Sequence, residues 1–429
     1  MSIIRSFRRS RGSGRWPLVA LVVCVLALAA CAAKPDSGGA AANSGETVLG
    51  PAKAATGTPV TIGVLGVAGG PYSIPSLGEQ ATATASYVNE HLGGIAGHPV
   101  KVDVCNDLAD GPSATACANR FVDEHVTAVV SLLGFNFDQF TTILAQAGIP
   151  YIGAAGPVNV PETSTPGLYF FQGGPAPGYA AVALYAQRKG WKKLTLVSFE
   201  TPVVTQLLDS MARPIYRQAG IDLSFSPVPI GSPDVAPQIQ AALATHPDAI
   251  LVQTDPTSCL TVLRALDTVG SRLPVIGFPN CGATSVVDAM RSRMNLTDIQ
   301  GAAATSDSAE AKLYHAIMSH YSSKTDTGGL ASNGYIGIMG LARLVNASGL
   351  TGEIDARKVG QAIATAPPVQ RPGGLDTETM SCGHSVYTIP QVKSVICDSR
   401  YYVSEITKGV RGPVQSIDSA QFVQTAFGA

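Results

Sequence analysis

From residue 60 to about residue 304, short apolar runs of strand length alternate with stretches of helical spacing, and this order leaves few folds open. Val60-Thr61-Ile62-Gly63-Val64-Leu65 is a continuous run, as in a strand buried on both faces. Residues 78–92 follow with helical spacing and stop at Gly93-Gly94. Strands are expected at 100–104, 128–133 and 150–153, and helices at 113–125 and 138–147. Gly173-Gly174-Pro175-Ala176-Pro177 suits a crossing between lobes better than an element interior. Beyond it the pattern resumes, with strands at 194–199, 223–230, 248–253, 274–278 and near 300–304, and helices at 179–189, 203–218, 234–245 and 257–269. Helices return at 310–321, 330–346 and 356–364, and Tyr401-Tyr402-Val403-Ser404 reads as a strand. Such alternation predicts parallel sheets covered by helices, with right-handed crossovers.

The N-terminus carries a different signal. Arg5, Arg8, Arg9, Arg11 and Arg15 precede an apolar stretch over 16–30 that is short for a bilayer span. It reads as an export signal. The closing Leu28-Ala29-Ala30-Cys31 resembles a bacterial lipobox, which makes Cys31 a lipid anchor and the first residue of the mature chain. Residues 32–58 are dominated by small and polar types and are expected to be a disordered tether.

About 370 residues follow, more than one compact core usually serves, so two lobes are expected. Charged residues make up 14% of the chain against about 25% in an average domain, and the formal net charge is -1. That balance gives a polyanion nothing to bind, so nucleic acid is not an expected partner. With Cys24 in the signal and Cys31 lipidated, Cys105, Cys117, Cys259, Cys281, Cys382 and Cys397 are left. An even number in an exported chain argues for disulfides, and proximity suggests 105 with 117, 259 with 281 and 382 with 397, other connectivities staying open.

Catalytic and cofactor signatures are weak. Gly63, Gly66 and Gly69-Gly70 are spaced wrongly for a dinucleotide fingerprint, whose first two glycines lie two apart. No GxSxG elbow, SxxK pair, CxxC or HExxH occurs. Asp103, Asp107 and Asp110 read as turn and capping residues. No cofactor, no metal and no enzymatic activity are expected.

Several segments, taken in order, resemble one family: Tyr87-Val88-Asn89, Gly93-Gly94-Ile95-Ala96-Gly97, Val100-Lys101-Val102-Asp103-Val104, Asn106-Asp107, the helix over 112–122, Gly148-Ile149-Pro150-Tyr151-Ile152, and Gly167-Leu168-Tyr169-Phe170-Phe171. The chain is similar over residues 60–402 to periplasmic binding proteins of fold type I, of the branched-chain amino-acid (Leu/Ile/Val) type. The resemblance implies an α/β fold of two doubly wound parallel-sheet lobes joined by three crossovers. Lobe one would hold 59–173 plus 306–375, and lobe two 174–305 plus 376–429. It also implies a ligand between the lobes, beyond the carboxyl ends of the strands, where open α/β sheets bind in general. The candidate lining is Tyr72, Phe135, Asn136, Ala155 and Gly156 from lobe one, with Phe199, Glu200, Thr254, Asp255 and Phe278 from lobe two.

Amino-acid-binding members hold the ligand carboxylate with hydroxyls and backbone N–H groups, and its ammonium with an acid beside a tyrosine. Here Phe135 stands where the first hydroxyl is expected, and Pro157, without an N–H, stands near the second. Val203 takes the tyrosine's place and Phe278-Pro279 the acid's, with Glu200 and Asp255 nearby. The expected function is therefore an extracytoplasmic solute-binding lipoprotein serving an ABC importer, its ligand not a simple branched-chain amino acid. Its expected partners are a small solute, the permease subunits and, through the anchor, the outer face of the cytoplasmic membrane; the chain itself is expected to be a monomer. The alternative is a receptor lipoprotein that signals to a membrane partner.

Overall fold

The computed structural model describes residues 48–69, 73–108, 110–134, 137–290 and 295–428. Its strands follow in chain order as β1 (Val60–Gly66), β2 (Val100–Asn106), β3 (Ala128–Ser131), β4 (Tyr151–Gly153) and β5 (Leu168–Phe170). A second series holds β6 (Lys193–Phe199), β7 (Asp222–Val228), β8 (Ala249–Gln253), β9 (Val275–Gly277) and β10 (Asn295–Gln300). A small ribbon, β11 (Val369–Gln370) with β12 (Thr379–Met380), precedes β13 (Val395–Ile396), β14 (Arg400–Thr407), β15 (Val410–Arg411) and β16 (Gln415–Asp418).

Two large sheets result, in the order β13-β5-β4-β3-β1-β2 and β15-β14-β10-β9-β8-β6-β7, with β16 also on β14. The first is parallel throughout, and β6 to β10 are parallel in the second. Helices on both faces explain the unbroken apolar runs: all four residues of β3 are buried, and so are the first four of β8. The helix Asn333–Ala347 is apolar nearly all round because it is enclosed. A β-carbon on Gly337 would lie 2.5 Å from Val130, and one on Gly334 2.3 Å from the Leu77 carbonyl.

The chain passes between the sheets three times, at 171–174, 301–308 and 397–399. This is the α/β architecture of two lobes, with the three crossovers that the family resemblance implies. Four local differences have physical reasons. The last parallel strand of the second lobe is β10, several residues before the expected 300–304; there Ala302, Ala303 and Ala304 are buried in the crossing itself, with the Ala303 N–H donating to the Gly373 carbonyl at 2.6 Å.

β13 pairs with β5 of the first sheet, so residues 376–429 do not all accompany the second. The expected tether also ends early. Leu49 is buried, and the N–H groups of Lys53 and Ala55 donate to the carbonyls of Glu90 and Asn89, so residues 48–58 pack on the first lobe. The helix expected over 203–218 contains a π turn, Leu208–Ala212, just ahead of Pro214, whose missing N–H denies the preceding turn its usual hydrogen bond. The three disulfides join Cys105 to Cys117, Cys259 to Cys281 and Cys382 to Cys397.

Candidate functional site: the cleft between the lobes

Parallel strands end together, so in each lobe the loops that follow them gather along one edge. In the first lobe three such ends are tied by two amide side chains. Gln172, in the first crossover, donates from Nε2 to the Ala154 carbonyl at 2.7 Å and to Asn333 Oδ1 at 2.8 Å. Asn333 in turn donates to the Leu132 carbonyl at 3.0 Å. Both residues are buried, and the bonds fix the loops after β3, β4 and β5 to the start of an enclosed helix.

The loop after β4 turns at Gly156, whose φ of +83° suits glycine. It also lies against the first crossover, since a β-carbon on Gly156 would stand 2.1 Å from the Gly174 nitrogen. In the second lobe Asn280 Nδ2 donates to the Thr254 carbonyl at 3.0 Å, joining the loops after β8 and β9. Tyr179 reaches Gln253 Oε1 at 2.8 Å.

Of the ten lining residues expected from sequence, Tyr72, Phe135 and Asn136 lie outside the described residues. Ala155 and Gly156 are in the loop after β4, Phe199 and Glu200 at the end of β6, and Thr254 and Asp255 after β8. Their side chains are engaged in different ways. Asp255 caps the helix Pro256–Thr268, its Oδ1 accepting from the N–H groups of Thr257 at 2.9 Å and Ser258 at 3.1 Å. Glu200 is exposed. Phe278 is 2% exposed, its ring set 5.6 Å from Tyr179 and 5.7 Å from Tyr401, so it supports the loop from inside the core.

Sequence reasoning did not single out the buried polar groups at the crossovers. Arg371 and Asp398, each with a side chain 1% exposed, form an ion pair at 3.0 Å. Arg371 also donates to the Gly301 carbonyl at 2.8 Å and lies over the Tyr402 ring, while Arg400 pairs with Asp398. The second and third crossovers are thus bound to one guanidinium. Tyr401 adds the first, donating to the Gly174 carbonyl at 2.8 Å. An isolated arginine in a Pro-Gly-Gly turn gives no local sign of such a partner.

A groove of about 510 Å³ lies between residues 138–146 and 161–165. Among the described residues no group of three or more potential metal ligands is assembled, and no helix is long and apolar enough to cross a membrane.

Two lobes with three crossovers and facing strand ends describe a hinged clamp. The sequence profile described as periplasmic binding protein matches residues 59–388. The chain belongs to the periplasmic binding protein family. Its members bind solutes outside the cytoplasm. Solved structures share the fold at low identity. A fatty acid ABC transporter substrate-binding protein from Thermomonospora curvata superposes with a TM-score of 0.70 at 13% identity, covering 88% of this chain and 96% of that one. The branched-chain amino acid transporter substrate-binding protein LivJ from Streptococcus pneumoniae, in complex with isoleucine, gives 0.65 at 17% identity, over 84% and 100% of the two chains. The leucine-binding protein LivK from Thermotoga maritima gives 0.65 at 16%, over 84% and 99%. No curated protein matches the chain by sequence.

Proposed function

We propose that this protein is a lipid-anchored solute-binding subunit of an ABC importer, and that its ligand is more apolar than a branched-chain amino acid. The observation that carries the importer reading is the pair of strand-end loop clusters, each internally tied by buried amides and joined by three crossovers, in a chain of the periplasmic binding protein family. The solute enters between the lobes, closure buries it, and the closed form docks on the permease. Nothing in this cycle requires chemistry on the solute. Cys31 supplies the anchor at the outer face of the cytoplasmic membrane.

Three features support the apolar ligand. Phe135 and Pro157 stand where amino-acid binders place a hydroxyl and an N–H donor. Asp255 already spends its carboxylate on a helix cap and offers an ammonium little. The fold is shared with a fatty acid ABC transporter substrate-binding protein from Thermomonospora curvata, so the same architecture serves an apolar solute there. Each carboxylate contact left unmade costs about 1–3 kcal/mol, or about one to two decades of affinity.

A thermal-shift screen of amino acids, amides, short peptides and fatty acids tests the reading. Ligand at about 100 times its Kd stabilises a folded protein by about 2.7 kcal/mol, which moves the midpoint by several degrees. Apolar solutes should give that shift, and leucine, isoleucine and valine should not. Micromolar binding of leucine, unchanged in Phe135→Ala, would overturn the ligand assignment.

A further inference from the structure

Outside the three covalent crossovers, the lobes also meet at a glycine pair. Residues 326–330 follow the helix Ala309–Tyr321 and belong to the first lobe: Gln80 Nε2 donates to the Asp326 carbonyl at 2.7 Å, and Tyr314 donates to the Thr327 carbonyl at 2.9 Å. Their other side faces the second lobe. A β-carbon on Gly328 would lie 2.5 Å from Ala283 Cα and 2.8 Å from the Thr284 nitrogen, and one on Gly329 would lie 3.0 Å from Asn280 Oδ1. Only glycine permits so close an approach.

Two hydrogen bonds cross the same seam. The Leu330 N–H donates to Asn280 Oδ1 at 3.3 Å, and Ser285 Oγ donates to Asp326 Oδ2 at 3.1 Å. Asp326 is itself oriented by the Gly328 N–H, which donates to Oδ1 at 2.9 Å. The seat is firm, because Cys281 is disulfide-bonded to Cys259 of the neighbouring helix. It is also coupled to the candidate ligand loop, since the same Asn280 amide that receives Leu330 donates to the Thr254 carbonyl.

We propose that residues 326–330 form a latch, in which Gly328 and Gly329 let the first lobe close against Asn280 and Ser285 of the second and so set how readily the cleft opens. That the latch governs solute capture rests on the importer reading; that it exists does not. Asn280 is then a positioning residue, carrying the state of the latch to the loop after β8.

Hydrogen exchange on the ligand-free full chain separates the two. Gly328 has a negative φ, so Gly328→Val strains no backbone and acts only by blocking the approach to Ala283. Residues 279–285 and 326–330 should both exchange about tenfold faster in this variant, while the enclosed helix Asn333–Ala347 keeps its protection. Ser285→Ala, a milder change that leaves the core untouched, should speed exchange at both segments by a smaller factor. Faster exchange confined to the segment that carries the substitution, or unchanged exchange in both variants, would overturn the latch. Neither result depends on a solute, so a wrong importer reading would leave this test standing.

Discussion

Glu162 holds its carboxyl where ionisation is costly. Its side chain is 1% exposed, and its Oε2 accepts from the N–H groups of Val158 at 2.5 Å and Asn159 at 3.2 Å, closing a capping box on the short helix Val160–Ser164. Burial raises its pKa from 4.5 to about 8; the two N–H donors act against that shift and nearby Asp138 adds to it. The folded state therefore binds this proton more tightly than the unfolded state does. Its contribution to stability is complete below about 4.5 and is lost as pH rises through about 8, by up to about 1.4 kcal/mol per pH unit. Thermal unfolding measured from pH 5 to pH 8.5 should show the midpoint of the parent falling relative to Glu162→Gln, whose amide oxygen still accepts from the cap. Parallel curves for the two proteins would mean that Glu162 is not protonated in the fold.

At the scale of elements, the disulfides pin pieces that the sheets alone hold loosely. Cys105 at the end of β2 is tied to the helix Gly111–Asp123, Cys259 in the helix Pro256–Thr268 to the turn that seats the latch, and Cys382 to the third crossover at Cys397. The sequence separations are 12, 22 and 15, and closing loops of this size removes about 3 kcal/mol of chain entropy from the unfolded state in each case. A Cys382→Ser, Cys397→Ser double variant should lower the denaturant midpoint by an amount equivalent to about 3 kcal/mol. Peptide mapping without reduction should find the three local pairs. Free thiols or crossed pairs would refute the pairing.

On the scale of the whole molecule, the clamp has a direction. The helix Ser76–His91 runs back from the strand-end loops of the first lobe, so its C-terminal end lies at the pole away from the cleft. Residues 48–57 pack at that end, through the Glu90 and Asn89 carbonyls and through Gly97, which accepts from the Gly57 N–H at 2.9 Å. These residues thus join the lobe at its far pole. On the proposal that Cys31 carries the lipid anchor, Cys31→Ala should move the protein from the membrane to the soluble fraction, because stable attachment needs more than one acyl chain. Retention on membranes after a carbonate wash would show that the anchor lies elsewhere.

Local chemistry determined much of this protein. Period and punctuation alone mark out the strands and most helices, since a strand buried on both faces must be apolar throughout and a helix must stop where glycine allows it. Cysteine pairs were equally legible, because short loops bring their partners together within one or two elements. The tertiary structure decided what depends on distant residues. β13 joins the first sheet although only Cys397, Asp398 and Ser399 separate it from β14 of the second, a choice made by the open edge of β5 and not by anything in Val395 or Ile396. Gln172 meets Asn333 across 161 positions, Asn333 meets Leu132 across 201, and Arg371 meets Gly301 across 70. A buried amide or guanidinium takes its role from whichever carbonyl or carboxylate the fold leaves beside it, and no periodicity in the chain records that partner.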